Sequence, residues 1–391
     1  MGSAPLERNA VRIMAILFTG ILIFNVPVFS ARGAPHESNH NGAASPKDET
    51  LSRGAANQDR QKPTVIVVVG AAGTPEYGAQ FAEWAGLWKK SCSKGDTRFI
   101  AIGLDPRLRG DISPRLPAGV PRPLAGAKAP AEAGVAEADD HIMLQEILAG
   151  ESKQTDAALW LVLIGHGTYD GKTAKFSLRG PDLSADDLAD WLKPFSRPIV
   201  VINAASSSAP FLSKLSRQGR VVITATKSGF EQNYARFGQY LAGAIAEPQA
   251  DLDKDGQTSL LEAFLTASHR VDEFYSAAGR LATERALLDD NGDGLGTRAD
   301  WFRGIRPVRK AMDNASLDGY LAHQFHLVRS EAENKMPSGL RAKRDQLELE
   351  VLKLRDTKEN FSEGEYFSKL EALLYDIAQI YEQTDKPGQT K

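Results

Sequence analysis

Carboxylate side chains recur at every second position in the first half of the segment DLDKDGQTSLLE, residues 251–262, which has glycine at its sixth position and glutamate at its twelfth. Loops of this pattern bind calcium through oxygens at positions 1, 3, 5, 7, 9 and 12, and the glycine permits the turn. The predicted ligands are Asp251, Asp253, Asp255, the carbonyl of Gln257, Ser259 and Glu262. Because carboxylates this close repel one another unless a cation neutralises them, we predict a Ca²⁺ site here; an acidic turn between helices is the alternative.

The same pattern recurs in DDNGDGLGTRAD, residues 289–300. The predicted ligands are Asp289, Asn291, Asp293, the carbonyl of Leu295, Thr297 and Asp300. Aspartate at the twelfth position is shorter than glutamate and chelates with both oxygens only if the loop tightens. A turn rich in Asp and Gly is therefore the alternative to calcium. We expect both loops to follow the last strand of their domain, where a bound metal would stabilise the folded form.

A histidine between two glycines ends the apolar segment LVLIGHG, residues 161–167. The carboxyl ends of buried parallel strands are where α/β enzymes hold their sites, so His166 is a candidate functional residue, although a histidine at a strand end is often structural. His323 and His326 lie three residues apart on a predicted helix. We interpret them as a packed or surface pair rather than as zinc ligands, because no third ligand is apparent.

Alternating apolar segments must position these residues. We predict strands at 63–70, 98–104, 158–165, 198–205 and 221–226, and helices at 77–91, 139–149, 184–193, 209–216 and 231–247. Strands that alternate with helices indicate a parallel sheet covered on both faces. Between the third and fourth strands, residues 175–188 are expected to form a short hairpin and then a helix with Ser184 as its N-cap.

The remaining segments have signatures of their own. Residues 1–33 place arginines before an apolar run and then small residues, the order of a secretory signal peptide; an uncleaved membrane anchor is the alternative. Residues 34–62 indicate a flexible linker and residues 105–138 a long loop. Two helices are predicted near 338–357 and 362–383. The apolar stripe of the second indicates a helical hairpin that packs on itself or on a second copy.

Composition restricts the classes of function. A length of 391 residues suggests two or three folded units. A net charge of −3 gives no basic surface, so nucleic-acid binding is not expected. The single cysteine, Cys92, excludes an intramolecular disulfide framework and a thiolate-built zinc site.

The order of strand, Gly-His-Gly, hairpin, helix and strand resembles the clan of cysteine peptidases that includes caspases, legumains and gingipains, and residues 64–88 are similar to the legumain-type branch. The resemblance covers about residues 63–247. It implies that His166 stands at the position of the clan's catalytic base and Gly167 at that of an oxyanion donor. It also implies a nucleophilic cysteine at the end of the next strand, where this chain has Ala205.

This departure from the clan's pattern removes the nucleophile. Cys92 has no reason to meet His166 in this strand order, so cysteine-peptidase chemistry is not expected. Ser206 is the nearest hydroxyl, and it is a candidate nucleophile if His166 removes its proton and the strand has already turned. The alternative role of Ser206, Ser207 and Ser208 is to form the turn and cap the next helix.

We therefore predict a caspase-like three-layer α/β sandwich at 63–312, with a mainly parallel central sheet and EF-hand-like calcium loops, followed by a C-terminal helical or coiled-coil segment at 313–391. The predicted function is that of an exported, periplasmic or extracellular, degenerate peptidase homologue that binds calcium and serves as a binding or scaffold module for a protein or peptide. The alternative is an active hydrolase that uses His166 with Ser206. Self-association through the C-terminal helices is also expected.

Overall fold

A computed structural model describes residues 62–104, 139–313 and 315–385. The predicted signal peptide, nearly all of the predicted linker and the predicted loop at 105–138 lie outside the described residues. All described residues fall within one unit, Gln61–Lys391. None of the helices in the described ranges combines the length and the apolarity that crossing a membrane requires.

A seven-stranded, mainly parallel sheet forms the centre of this unit. In spatial order its strands are β2 (Arg98–Ile102), β1 (Thr64–Val69), β3 (Leu159–Ile164), β7 (Ile199–Asn203), β8 (Arg220–Thr224), β9 (Leu287–Asp289) and β10 (Thr297–Arg298). The first five are parallel, whereas β9 and β10 each run antiparallel to the preceding neighbour. Strands β1, β3, β7 and β8 are buried along their whole length, as the continuous apolar runs of central parallel strands require. The predicted parallel sheet is confirmed.

Helices cover both faces of the sheet. Those of the sheet domain are α1 (Pro75–Lys94), α2 (Asp140–Gly150), α3 (Ala185–Leu192), α4 (Ala209–Leu215), α5 (Phe237–Ala244) and α6 (Leu260–Ala277). On one face α1 and α6 contribute Trp84 and Phe264 to the core, together with α5. On the other face α2 and α4 contribute Leu144 and Phe211, together with α3. The result is a three-layer α/β sandwich, as the sequence predicted.

Small antiparallel sheets accompany the central one. Strands β4 (Gly167–Tyr169), β5 (Ala174–Phe176) and β6 (Leu183–Ser184) form a three-stranded sheet directly after His166, and β11 (Phe302–Arg303) pairs with β12 (Arg306–Pro307). The three-stranded sheet stands where the sequence predicts a hairpin. Ser184 caps α3 as predicted, because its hydroxyl accepts from the backbone N–H of Asp187 at 3.0 Å and the Asp187 carboxylate accepts from the backbone N–H of Ser184 at 3.2 Å.

Two features differ from the sequence-based expectation. Strands β9 and β10 of the central sheet come after the first acidic loop and flank the second, so the expectation that both loops follow the last strand is wrong. These strands have three and two residues, too few for a periodic pattern. The helix expected at 231–247 begins only at Phe237. The Glu284 carboxylate accepts hydrogen bonds from the backbone N–H groups of Arg236 and Phe237 at 2.8–3.0 Å, which fixes this helix start.

The C-terminal part of the chain is helical. Its helices are α7 (Tyr320–Gln324), α8 (Glu331–Lys335), α9 (Ser338–Asp356) and α10 (Glu363–Asp385). The two long helices, α9 and α10, contact each other and match the predicted pair. The Ser362 hydroxyl donates to Glu365 at 2.7 Å and accepts from its backbone N–H at 3.4 Å, so a capping box starts α10. Upstream of this pair, Phe325 packs edge-on against Trp160 of β3 with ring centroids 6.0 Å apart.

Candidate functional site

His166 lies at the carboxyl edge of the sheet, two residues past β3, and its ring is half-buried among aromatic side chains. Its ring centroid lies 4.8 Å from that of Tyr77 and 5.2 Å from that of Phe81, and both contacts are edge-on. Its Nε2 lies 3.2 Å from the backbone oxygen of Ala72. Because a carbonyl oxygen only accepts, this contact places a proton on Nε2. Helix α1 and the turn before it therefore hold the imidazole in place.

Ala205 occupies the position where the resemblance implies a cysteine. It lies two residues past β7, the strand that pairs with β3. Its side chain is 1% exposed and belongs to the core layer that includes Phe211. A Cβ atom built on Gly167 would lie 3.4 Å from the Cβ of Ala205, so the ends of the two neighbouring strands do meet. At this meeting point the chain offers a buried methyl group, which is no nucleophile.

The hydroxyl of Ser206 is bonded to backbone atoms. Its Oγ donates to the Gly167 carbonyl at 3.1 Å and accepts from the Gly167 N–H at 3.3 Å. Ser206 is 5% exposed. Among the hydrogen bonds of the described residues, none joins this hydroxyl to the His166 ring. The structure therefore brings Ser206 to the predicted edge, where it connects the two strand ends.

The next two serines form a turn, but they do not cap the following helix. Ser207 has a φ of +54° and is buried. Ser208 stands at the N-cap position of α4, yet its Oγ accepts from the backbone N–H groups of Ala225 and Thr226 at 3.1 and 3.2 Å. The Thr226 hydroxyl instead accepts from the backbone N–H of Ala209 at 3.1 Å. The expected serine cap is thus replaced by a threonine that follows β8.

Three carboxylates converge in the first acidic loop, residues 251–262. One oxygen each from Asp251, Asp253 and Asp255 lie within 4.8 Å of one another. The Asp251 carboxylate also accepts from the backbone N–H groups of Lys254 and Gly256 at 2.7 and 3.1 Å. Positive φ angles of +65° at Lys254 and +91° at Gly256 make this tight turn. The cluster has the oxygen ligands that a hard divalent cation requires.

Glu262, at the twelfth position, closes this loop. One of its oxygens accepts from the backbone N–H groups of Leu252 and Asp253 at 2.7 and 3.2 Å. The other accepts from the backbone N–H and the hydroxyl of Ser259, both at 2.8 Å. The Ser259 hydroxyl accepts in return from the N–H of Glu262, so this pair is also the capping box of α6. Because α6 begins at loop position 10, its first turn directs Glu262 back into the loop.

A histidine that the sequence analysis set aside belongs to this cluster. Oxygens of Asp253 and Glu262 and a ring nitrogen of His323 lie within 4.8 Å of one another. The Nε2 of His323 is 3.0 Å from Asp253. The rings of His323 and His326 are 6.5 Å apart and edge-on. The expectation that no further ligand lies near the pair is wrong for His323, which contacts the loop. No local sequence pattern connects His323 to Asp253 or Glu262, because both are distant from it in the sequence.

Like charges shape the electrostatics of the first loop. Burial and the neighbouring Asp253 carboxylate raise the pKa of Asp255 to about 6. Burial opposes ionisation of Asp253 as well, but the hydrogen bond and charge of His323 hold the pKa of Asp253 below its ordinary value. Asp255 therefore carries a charge that its surroundings disfavour. A divalent cation at the cluster would reverse that penalty.

The second acidic loop, residues 289–300, has the same backbone turn as the first. Asp289 accepts from the N–H groups of Gly292 and Gly294 at 3.0 and 2.8 Å, the same loop positions that bond to Asp251. Asn291 accepts from the N–H of Asp293 at 2.8 Å, and Asp293 from that of Leu295 at 2.8 Å. The equivalent bonds of the first loop run from Asp255 to Asp253 at 3.2 Å and from Gln257 to Asp255 at 3.0 Å.

The twelfth position of the second loop differs from that of the first. The Asp300 carboxylate is 53% exposed and pairs with the Arg298 guanidinium at 2.7 Å. Asp318, which sequence reasoning missed, is 1% exposed and contacts the loop from outside. Burial and the nearby Asp290 carboxylate hold the pKa of Asp318 well above its ordinary value. Nothing in the spacing of the loop itself points to a residue beyond its end.

The described residues thus present two kinds of candidate site. The carboxyl edge of β3 and β7 has a histidine without a nucleophile bonded to it. The first acidic loop has three carboxylates within 4.8 Å of one another that could hold a metal ion, and within the described residues the second loop contributes no group of this kind. No protein-family model matches the chain, and a search of curated proteins finds no match.

Proposed function

We propose that this protein is an exported, calcium-binding relative of the caspase and legumain-type peptidases that has lost catalysis and acts as a binding or scaffold module. The observation that carries the proposal is the convergence of Asp251, Asp253 and Asp255 within 4.8 Å in a loop with the calcium-binding spacing. Glu262 adds a further carboxylate, because one of its oxygens lies within 4.8 Å of Asp253 and of His323. When bound, calcium supplies charge neutralisation and cross-links the loop.

The sheet topology supports the proposed relationship to the peptidase clan. The strand that leads to His166 and the strand that leads to Ala205 are parallel neighbours, and a small antiparallel sheet and a helix lie between them in the chain. This is the order that the clan's histidine and cysteine motifs have. The likeness concerns architecture and the Gly-His-Gly motif, and it stops at the nucleophile.

The proposed loss of catalysis rests on Ala205 and Ser206. Acyl transfer by this arrangement needs a thiol or hydroxyl within hydrogen-bond reach of the base. Ala205 has neither, and both hydrogen bonds of the Ser206 hydroxyl are to Gly167. The geometry therefore favours a non-catalytic module over the alternative hydrolase.

A protein or peptide ligand is the proposed partner. Beside the His166 edge, Tyr169 on β4 and Phe230 form an edge-on aromatic pair with ring centroids 5.2 Å apart, and Phe230 is 71% exposed. Exposed aromatic side chains are enriched where proteins bind other proteins. Calcium loops of extracellular modules have dissociation constants of about 10⁻⁴–10⁻³ M, a range that suits an exported protein.

The calcium proposal predicts a specific response to loss of one carboxylate. Isothermal titration of the wild-type protein should show calcium binding in the millimolar range or tighter. Asp255→Asn should weaken binding at the first loop by about 10-fold or more, because it removes one charged ligand. In the absence of calcium this variant should unfold at the same temperature as wild type or higher, since the lost charge is disfavoured where it stands.

Asp272→Asn is the matched control, because Asp272 is an exposed residue of α6 and loses the same charge. It should leave the calcium affinity unchanged. A wild-type protein that releases no heat and keeps its melting temperature at millimolar calcium would contradict the proposal.

A separate experiment tests the absence of catalysis. The purified protein should cleave no member of a fluorogenic peptide library and should not react with a fluorophosphonate probe, because the Ser206 hydroxyl is held by Gly167. Cleavage or labelling that disappears in Ser206→Ala but persists in Ser213→Ala, a change at an exposed serine of α4, would establish the hydrolase instead.

A further inference from the structure

We infer that the hairpin of β11 and β12 is a docking surface for a membrane that carries anionic phospholipids. The segment 301–312, named here the basic hairpin, contains these two strands and has the sequence WFRGIRPVRKAM. It carries four cationic side chains and no carboxylate, although the whole chain has a net charge of −3. The net charge conceals this basic surface because it averages over all residues. The inference goes beyond the proposed function, since it requires neither calcium nor the His166 edge.

The register of the basic hairpin turns two arginines away from the core. Phe302 pairs with Pro307, and Arg303 pairs with Arg306. Phe302 packs against the hydrophobic core and Pro307 is buried, so this pair faces the protein. Because neighbouring side chains of a strand point to opposite faces, the arginine pair faces solvent, and both arginines are exposed. The hairpin is thus anchored by its apolar side and presents its charges outward.

The cations of the basic hairpin have no counter-charge within the protein. Directly opposite residues of an antiparallel pair have Cβ atoms about 4.5–5.5 Å apart, and like charges at such positions are destabilising. Of the two carboxylates that flank the segment, Asp300 pairs with Arg298 and Asp313 forms no ion pair. In the part of the chain that the structure describes, no ion pair includes Arg303, Arg306, Arg309 or Lys310. An anionic surface would supply the missing counter-charge.

Apolar side chains stand beside these cations. Val308 is 45% exposed and Met312 is 62% exposed. The backbone N–H of Val308 donates to the carbonyl of Trp301 at 2.9 Å, which extends the ladder and places the half-buried Trp301 opposite Val308. Tryptophan together with cationic and apolar side chains is typical of segments that lie at the membrane–water interface. Charge and apolar exposure therefore point to the same partner.

The shape of the basic hairpin favours a flat partner. A Cβ atom built on Gly304, in the turn, would meet no atom of the described residues within 4 Å beyond its chain neighbours, so the turn projects into solvent. Clefts that hold small ligands are concave, whereas a projecting turn is able to meet a flat surface. A lipid surface also offers many anionic headgroups at once, and each nearby cation adds its own attraction. We therefore assign an anionic membrane, and not an acidic peptide, as the occupant.

The experiment measures co-sedimentation of the mature chain, without the predicted signal peptide, with lipid vesicles. EGTA is present throughout, so calcium plays no part. Vesicles of equal parts phosphatidylcholine and phosphatidylglycerol should bind wild type, and vesicles of phosphatidylcholine alone should bind it far more weakly. Binding to the mixed vesicles should weaken when the salt concentration rises from about 0.1 M to about 0.5 M, because ions screen the attraction.

The arginine pair should carry much of this binding. Arg303→Gln combined with Arg306→Gln should weaken binding to the mixed vesicles by about 25-fold, since each cation near an anionic lipid surface contributes about 5-fold. This variant should melt at the same temperature as wild type or higher, because it removes a pair of like charges. Val308→Ser combined with Met312→Ser should also weaken binding, which attraction by charge alone would not cause.

Arg217→Gln combined with Arg280→Gln is the matched control, because both arginines are exposed and lie outside the basic hairpin. It removes the same two charges and should change binding by less than about 2-fold, since charges away from the contact are screened.

Four results would overturn the inference: no binding of wild type to the mixed vesicles, equal binding to both kinds of vesicle, undiminished binding by the variant of Arg303 and Arg306, or undiminished binding by the variant of Val308 and Met312. Retention of wild type on immobilised polyglutamate without vesicle binding would also overturn it, and would identify an acidic protein as the partner. Because EGTA is present, a failure of the calcium proposal leaves each of these results unchanged.

Discussion

Individual carboxylates in the two loops hold the backbone in its turn through hydrogen bonds of their own. Asp251 and Asp289 each accept two backbone N–H groups, at 2.7–3.1 Å, and these bonds define the turn. A loop that is formed in advance loses little conformational entropy when an ion binds. The main free-energy cost of the metal-free loop is therefore electrostatic. Burial and the neighbouring carboxylate disfavour the charge of Asp255, as its raised pKa indicates.

Cys92 is the residue for which burial gives the sharpest chemical prediction. Its side chain is 1% exposed on α1, and burial raises the pKa of its thiol to about 12. Since the thiolate is the reactive form, almost no reactive species exists at about pH 8. We expect iodoacetamide to leave Cys92 unmodified in the folded protein and to alkylate it fully in guanidinium, as measured by mass spectrometry. Rapid alkylation of the native protein would mean that α1 does not shield the thiol.

At the scale of elements, sequence predicts what local pattern determines. The parallel strands could be predicted from long β-branched runs such as Thr64–Val69, because no surface-facing residue interrupts these runs. The spacing of the Asp, Asn and Gly residues predicted both acidic loops. Strands β9 and β10 were not predicted, because their pairing is set by neighbours in the sheet and not by a pattern in their own residues. The contacts of His323 and Asp318 with the loops could not be predicted for the same reason, since only tertiary folding brings these residues to a loop.

The elements that follow the two loops explain why the twelfth residue is buried in the first loop and exposed in the second. A helix after position 9 turns the twelfth residue inward, and the Ser259–Glu262 capping box serves the helix and the loop together. The second loop instead passes through the two-residue strand β10 into the 3₁₀ turn Ala299–Trp301, where Asp300 is exposed and pairs with Arg298. Equal spacing in the sequence therefore does not guarantee an equal ligand set, and the exit element has to be considered with the loop.

At the scale of the whole molecule, the segment 315–330, named here the connector, joins the sheet domain to helices α8 to α10 and is part of the core. Phe325 is 9% exposed, packs on Trp160, and its carbonyl accepts from the backbone N–H of Leu260 at 2.8 Å. The backbone N–H of Ser330 donates to the Gln257 side chain at 3.1 Å. The C-terminal helices thus reach the sheet through a segment that contacts both acidic loops, which makes independent folding of the sheet domain without the connector unfavourable.

Phenylalanine truncation measures this coupling. Phe325→Ala should lower the free energy of unfolding by about 3–5 kcal/mol, because it leaves a cavity against Trp160 in the core. Phe367→Ala is the matched control: Phe367 lies on α10 and is 50% exposed, so the same truncation should cost less than about 1 kcal/mol. Denaturant unfolding, followed by tryptophan fluorescence with and without calcium, gives both values. A larger loss in Phe325→Ala, with one transition seen by fluorescence and by circular dichroism, means that the connector and the sheet unfold together. Equal losses in the two variants would mean that the connector does not share the cooperative core of the sheet.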